Sequence, residues 1–416
     1  MSEPMRRRSF LAGTAAFGIA TAAAVAAEPL SAPQIELGND MFMVRDWRRL
    51  QGRSVGVITN QSGVTSDGES IVDAILRQGK IRIKAIYAPE HGFRGDRAAG
   101  ATVASYVDPR TNLPVYSLYG ASRHPSGAML EGVDVLLFDI QDVGSRAYTY
   151  ISTMAYAMQS ARTYGTEFWV LDRPNPTGGT IVEGPVLEPA YESFIGLYPL
   201  AMRHGMTVGE LATLFNERFG IGCRLDVIRM NDWRRWMIWP DTGLRWVQTS
   251  PNVPLWENTI PYSGTGLLES VGINNGTGST TPFFKPFLVA GMVGIDGSQL
   301  AIHLNMRNLP GVSFKPAAWT PTAGFWKDKE LTGVELAIFD PHRFLAVRTA
   351  IEILVAIRDL FPRAIHIASV SGLDRDWGTD SFRQAFLARK SAETILAQWT
   401  DSVAAFETLR RRYLLY

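Results

Sequence analysis

The chain has 416 residues, 46% of them apolar, and its 41 Lys and Arg against 40 Asp and Glu leave a formal net charge of +1. That apolar content, with no long polar or repetitive tract, excludes a disordered chain, and the absence of a basic face argues against nucleic acid as the main partner. The length predicts two domains, and there is no repeat of solenoid period.

Residues 1–27 read as a twin-arginine signal peptide. Arg6-Arg7-Arg8-Ser9-Phe10-Leu11 opens it, an Ala- and Gly-rich apolar stretch follows, and Ala24-Val25-Ala26 suits signal peptidase. The stretch is too short and too mildly hydrophobic to span a bilayer. The expected location is periplasmic or extracellular, without stable membrane insertion once the signal is removed. No cysteine sits near the cleavage site, so a lipid anchor is not expected. The single cysteine, Cys223, cannot form an internal disulfide and is expected as a small buried hydrophobe.

Beyond residue 28, short apolar runs alternate with helical patterns. SVGVIT (54–59) ends at Asn60, IRIKAIYA (81–88) at Pro89-Glu90, VDVLLFD (133–139) at Asp139 and EFWVLD (167–172) at Asp172. Near-continuous apolar runs of this kind are strands of a parallel sheet covered on both faces. Between them, Ile71, Val72, Ile75 and Leu76 share a helical face, and residues 150–163 form an apolar segment of helical length. Thr207-Val208-Gly209-Glu210 is a capping box that opens a helix through Phe219, and RLDVIRM (224–230) reads as the next strand. The alternation predicts a doubly wound α/β domain over 34–255.

A loop-rich stretch carries Trp233, Trp236, Trp239, Trp246 and Trp256, suited either to sugar faces or to packing. Residues 256–416 are expected to form a second, smaller α+β domain completing a cleft. Its expected elements are strands at QLAIHLNM (299–306) and ELAIFD (335–340) and long amphipathic helices at 343–361 and 391–412.

Several chemistries lack their motifs. There is no G-x-G-x-x-G after a strand, no G-x-x-x-x-G-K-[ST] and no G-x-S-x-G, and the six histidines show no metal-binding spacing. No cofactor and no metal are expected. Open parallel sheets bind ligands outside the carboxyl ends of their strands, which is where Asn60, Glu90, Asp139 and Asp172 fall.

Three dense stretches occupy these ends. Pro89-Glu90-His91-Gly92-Phe93-Arg94-Gly95 has a plain reading as a glycine turn with an ion pair. Asp139-Ile140-Gln141-Asp142-Val143-Gly144-Ser145-Arg146-Ala147-Tyr148 has one as a helix N-terminus. Asp172-Arg173-Pro174-Asn175-Pro176-Thr177-Gly178-Gly179, followed by Glu183, has one as a proline-stiffened loop. Together, at the ends of adjacent strands, they supply carboxylates, arginines and amides suited to a hydroxylated and anionic ligand. Paired carboxyl groups are also the minimal equipment for glycoside hydrolysis, in which one must be protonated to act as general acid.

The strings PEHGFRG, SLYG (117–120), VDVLLFDIQDVGSRAYTY, VLDRPNP-x-GG, EGP (183–185), RHGMTVGELA (203–212), SPNVP (250–254) and RRRYLLY (410–416) resemble the NamZ family of exo-β-N-acetylmuramidases, through essentially all of the mature chain. The resemblance implies a Rossmann-like N-terminal domain, a smaller C-terminal domain and release of N-acetylmuramic acid from non-reducing ends of peptidoglycan fragments. It makes Glu90 the leading catalytic acid. It leaves the second group open, and Asp139, Asp142 and Glu183 are the candidates from the residues themselves, with Tyr148 assisting. Arg146, Arg173 and His204 are candidates to meet the lactyl carboxylate, an Arg by a bidentate pair. Asn60, His91, Arg94, Gln141, Asp172, Asn175, Asn252, Glu269 and Asn274 complete the expected substrate-binding set.

One stretch departs from the family pattern. In Glu269-Ser270-Val271-Gly272-Ile273-Asn274-Asn275-Gly276-Thr277-Gly278-Ser279, Thr277 stands where the family commonly has arginine and Gly272 where it has asparagine. A lost guanidinium bears on the recognition of an anionic sugar. The competing readings are therefore a non-catalytic muropeptide- or sugar-binding protein and a glycosidase for a related amino sugar. The oligomeric state has no legible signal.

Overall fold

The structure, a computed structural model, describes residues 35–95, 104–120, 122–279, 285–367 and 369–416. The expected signal peptide lies outside the described residues. Seven strands form the main sheet: β1 (Ser54–Thr59), β2 (Arg82–Ala88), β3 (Tyr106–Val107), β4 (Pro114–Ser117), β5 (Val135–Asp139), β6 (Glu167–Leu171) and, after the two-stranded β7 (Glu183–Val186) and β8 (Ala201–Arg203), β9 (Leu225–Ile228). The order is β3-β4-β2-β1-β5-β6-β9, parallel except at β3–β4. The chain winds outward in both directions from β1, so the switch point lies between β1 and β5.

Both faces are covered, as continuous apolar strands require. Leu136 and Phe138 of β5 pack with α3 (Tyr150–Tyr164) and α4 (Val208–Glu217), after α1 (Gly38–Val44) and α2 (Ile71–Gln78) in the chain. Val135 and Leu137 turn to the opposite face, toward Phe42 of α1 and Ile71, Val72 and Ile75 of α2. Each such burial stabilises by about 1.5–3 kcal/mol. Leu76, expected on the same helical face, is 40% exposed. Cys223 is buried in the α3–α4 core, where burial pushes its thiol up to about 11.

The capping box forms as expected, with Glu210 N–H donating to Thr207 Oγ1 (3.3 Å) and Thr207 N–H to Glu210 Oε2 (3.0 Å). Such a cap is worth about 1 kcal/mol.

The smaller domain holds a three-stranded antiparallel sheet, β10 (Val289–Met292), β12 (Leu331–Ile338) and β11 (Val312–Trp319), covered by α5 (Thr259–Thr265), α6 (Gly297–Met306) and α7 (Ala346–Leu360). The stretch QLAIHLNM is α6 rather than a strand. Asp296 caps it by accepting from the N–H groups of Ser298 and Gln299, and Leu300, Ala301 and Leu304 bury one helical face. The expected helix at 391–412 is broken. After α8 (Val370–Trp377) and α9 (Ser381–Leu387) come α10 (Ala392–Ala397) and α11 (Thr400–Arg410), separated at Gln398-Trp399. The side chain of Trp399 there turns into the core and donates to Ser381 Oγ (3.1 Å).

Candidate active site

Four polar residues were expected at strand ends, and all four are there, yet only one faces open space. Glu90 follows β2 and lines a cavity of ≈ 120 Å³ with His91, Tyr148, Thr149, Tyr150, Ser250, Asn252, Tyr262 and Phe287 among its walls. Tyr262 and Phe287 come from the smaller domain, so both halves build the cavity. His91 adopts φ 72°, a left-handed conformation uncommon outside glycine, and this sharp turn directs the residues after β2. Thr149 Oγ1 donates to Glu90 Oε2 (2.8 Å), and the phenol of Tyr119 lies against the same carboxyl, which raises the Tyr119 pKa further after burial has done so.

Aromatic groups close the back of the cavity. Tyr148 donates to Thr249 Oγ1 (2.8 Å) and Tyr150 to the Thr249 carbonyl (2.5 Å). Tyr148 packs edge-on to both Tyr150 (4.8 Å) and Tyr262 (5.5 Å). Burial pushes all three phenols above the usual tyrosine range, and the charges of Glu90 and Asp142 add to the effect at Tyr150 and Tyr262. They are therefore neutral hydrogen-bonding walls. Asn60 spends its Oδ1 on Ser62 N–H (2.9 Å) and Oγ (2.6 Å), and its buried Nδ2 lies beside the Tyr150 hydroxyl.

Asp142 sits behind this wall. Its Oδ2 accepts from Gly144 N–H (2.8 Å), and burial pushes its carboxyl up to about 7 against the pull of the Gly144 and Val143 N–H groups. Gly144 has φ 81°, and a Cβ there would lie 2.3 Å from Asn175 Oδ1, so the turn that presents Asp142 requires glycine. His204 Nε2 is 3.9 Å from Asp142 Oδ2. Burial, and then the Arg410 charge, depress the imidazole to about 3, so His204 is neutral. Its Nδ1 accepts from Met206 N–H (3.1 Å), which leaves the proton on Nε2.

The folded pKa of Asp142 is raised, so its contribution to stability is fully present below the unfolded value of 3.8 and is lost as pH rises through about 7. Asp142→Asn removes that loss. The variant should exceed the wild type by about 2–4 kcal/mol at pH 8 and converge with it toward pH 4. Urea denaturation at both pH values checks this, and parallel curves would contradict it.

Other expected site residues have structural work. Asp139 is fully buried and accepts from Arg173 Nε (2.5 Å) and Asn39 Nδ2 (2.9 Å), while Arg173 Nη2 donates to the Val64 carbonyl (2.6 Å). Neither oxygen of Asp139 is left for a substrate. Glu183 accepts from the N–H groups of Ala346 (2.7 Å) and Val347 (3.1 Å) and pairs with Arg203, so it caps α7 and does not line the cavity. Arg146 is buried on the carbonyls of Pro185 (3.1 Å) and Asp376 (3.1 Å), and burial lowers it to about 9. It locks the β5–α3 loop to α8 and is not presented to a lactyl carboxylate. Arg94 pairs with Asp108 at 2.9 Å and covers Phe93. Asn175 organises its own turn, accepting from Thr177 N–H (3.0 Å) and donating to the Met206 carbonyl (3.0 Å). Asp172 accepts four hydrogen bonds within the fold.

Gln141 and Arg173 instead line a second cavity of ≈ 360 Å³ with Ser62, Trp239, Arg245 and Trp246. Its acid is Asp67, on an exposed turn, so it is larger than the Glu90 cavity but poorer in groups able to move a proton. Of the other tryptophans, Trp233 is buried against Tyr416 (5.3 Å) and Trp236 is exposed. Glu269 and Asn274 line a third cavity, on the smaller domain.

One residue without any local motif joins the Glu90 site. Tyr262 of α5 lines the cavity, and its phenol is raised by burial and further by the charges of Glu90, Asp142, Glu269 and Asp376. Asp376, near the end of α8, has its carboxyl pushed up to about 6, first by burial and further by Glu269, against the pull of Arg375 and Arg146. Among the described residues no group of three or more His, Cys, Asp or Glu is arranged to hold a metal ion.

Two family models match the chain, described as exo-β-N-acetylmuramidase NamZ, N-terminal, over residues 55–257 and C-terminal over 260–416. The peptidoglycan β-N-acetylmuramidase NamZ of Bacillus subtilis (strain 168) is 42% identical over 412 residues, which cover 98% of this chain and 99% of that protein. Two crystal structures of DUF1343 family proteins from Bacteroides fragilis NCTC 9343 superpose with TM-scores of 0.85 and 0.75 at 35% and 27% identity. Each comparison covers 92% of this chain and 99% of the other.

Proposed function

The chain belongs to the exo-β-N-acetylmuramidase NamZ family and is an exo-acting glycoside hydrolase of peptidoglycan fragments, and within that activity we propose that the Glu90 cavity is where the bond breaks. One observation carries this reading: of the carboxyls at the sheet's carboxyl edge, Glu90 alone lines the cavity, whereas Asp139 and Asp172 are fully buried in bonds within the fold.

Glu90 gives its proton to the leaving glycosidic oxygen as the C1–O bond breaks. Positive charge then develops on the sugar ring, and a water completes the hydrolysis by adding its oxygen to C1 as a proton returns to the enzyme. The three phenols remain protonated, so they wall the ring and donate hydrogen bonds without competing as nucleophiles.

Digestion of an oligosaccharide with N-acetylmuramic acid at its non-reducing end tests the reading. One N-acetylmuramic acid should leave each chain, giving a product shorter by that single residue and no internal cleavage, by mass spectrometry. Release of internal fragments first would contradict it.

The protein is further proposed to be exported to the periplasm by the twin-arginine route and to act there in cell-wall recycling, on the support of Arg6-Arg7-Arg8-Ser9-Phe10-Leu11 and the location of such substrates. Cell fractionation checks this, and retention of the full-length chain in the cytoplasm contradicts it.

A further inference from the structure

The smaller domain carries a cavity of ≈ 420 Å³ whose lining includes Glu269, Asn274, Thr277, Phe325, Trp326 and His366. It adjoins the catalytic cleft through Asn275, set between the lining residues Asn274 and Thr277, whose carbonyl accepts from the N–H of Phe287 in the wall of the Glu90 cavity (2.6 Å).

Its loop is held in shape. Asn274 Oδ1 accepts from Gly276 N–H (3.0 Å) and Trp319 Nε1 (2.9 Å), Asn274 Nδ2 donates to the Thr277 carbonyl (3.1 Å), and Trp326 Nε1 donates to the Gly272 carbonyl (2.8 Å). The charge of the cavity is one-sided. Glu269 is exposed and accepts from the Thr277 hydroxyl, and among the described residues no Lys or Arg lines the cavity and His366 is its one other ionisable side chain. Beside the carboxylate stands an open apolar face: Phe325 is 72% exposed, set edge-on to Trp326 at 4.9 Å.

A carboxylate without a cation repels a second carboxylate, and like charges brought together cost several kcal/mol. The same carboxylate accepts readily from an amide N–H, while an aromatic face takes up small apolar groups. We propose that this cavity receives the lactyl arm of the muramyl residue in its amide-linked form, so that the enzyme prefers N-acetylmuramyl peptides to termini with a free lactate. Thr277 sets this preference by leaving the Glu269 charge unneutralised. The inference rests on the muramidase reading.

Two chromogenic substrates separate the possibilities: 4-nitrophenyl β-N-acetylmuramide with a free lactate, and the same compound with its lactate coupled to L-alaninamide. The wild type should favour the amide in kcat/KM by about tenfold or more, given the cost of opposing like charges. Glu269→Gln keeps the shape and removes the charge, and should narrow the ratio by raising turnover of the free acid. Thr277→Arg should reverse it. Equal turnover of the two substrates by the wild type, or a ratio unmoved in Glu269→Gln, overturns the proposal and leaves the muramidase reading standing. Turnover of neither substrate overturns both.

Discussion

Glu90→Gln should lower kcat/KM for a muramyl disaccharide by about 10²–10⁴-fold, the range expected for loss of a general acid. The side chain keeps its shape, and Gln can still accept from the Thr149 hydroxyl that now reaches Glu90 Oε2 at 2.8 Å. Binding is therefore expected to survive and the loss to fall on kcat. The leaving group provides the decisive contrast. A sugar alkoxide needs a proton as it departs, whereas 4-nitrophenolate departs without one, so the variant should lose far less on the nitrophenyl substrate. An equal loss on both would show that Glu90 does something other than protonate the leaving oxygen. Full activity on the disaccharide would remove it from the reaction.

The largest stability effect is expected at Asp172, a residue that its strand-end position made a candidate for substrate contact. It is fully buried, and its two oxygens accept from Arg173 N–H (2.9 Å), Gly209 N–H (2.8 Å), the Thr207 hydroxyl (2.8 Å) and the Tyr416 hydroxyl (2.8 Å). It joins the end of β6, the start of α4 and the last residue of the chain. Asp172→Ala leaves these four donors without an acceptor, at about 1–3 kcal/mol for each that cannot find another partner. The expected loss is about 3–5 kcal/mol in urea denaturation, at the upper end for a point mutation. Asp172→Asn, which keeps one carbonyl oxygen, should recover part of it. The kcat of the folded fraction should be unchanged. A variant with wild-type stability and no activity would make Asp172 a catalytic group instead.

The contrast between Glu90 and Asp172 shows how far the sequence reaches. Apolar runs and their polar ends located β1, β2, β5 and β6 to within one or two residues, because a strand buried on both faces has little freedom in composition. The direction of each end side chain was not legible. It depends on partners far away in the chain: Asn39 and Arg173 turn Asp139 inward, and the N-terminus of α7, some 163 residues on, claims Glu183.

Tyr262 was missed for the same reason. It sits in no motif of its own, and it reaches the Glu90 site only because the smaller domain folds against the larger. The helix at 297–306 was misread because apolar residues in QLAIHLNM fit a strand's alternation as well as a helix face, and the Asp296 cap that decides the matter precedes the apolar run. Thr277, by contrast, stood out in the sequence as the exchanged residue in the altered loop, and it lies against Glu269 in the fold.

A crystal structure of Glu90→Gln bound to a muramyl disaccharide tests the central claim most directly. The glycosidic oxygen should lie within hydrogen-bond reach of the residue-90 side chain, with the muramyl ring against Tyr148 and Tyr262. A disaccharide seated instead in the cavity of Arg173, Trp239 and Trp246, away from residue 90, would contradict it.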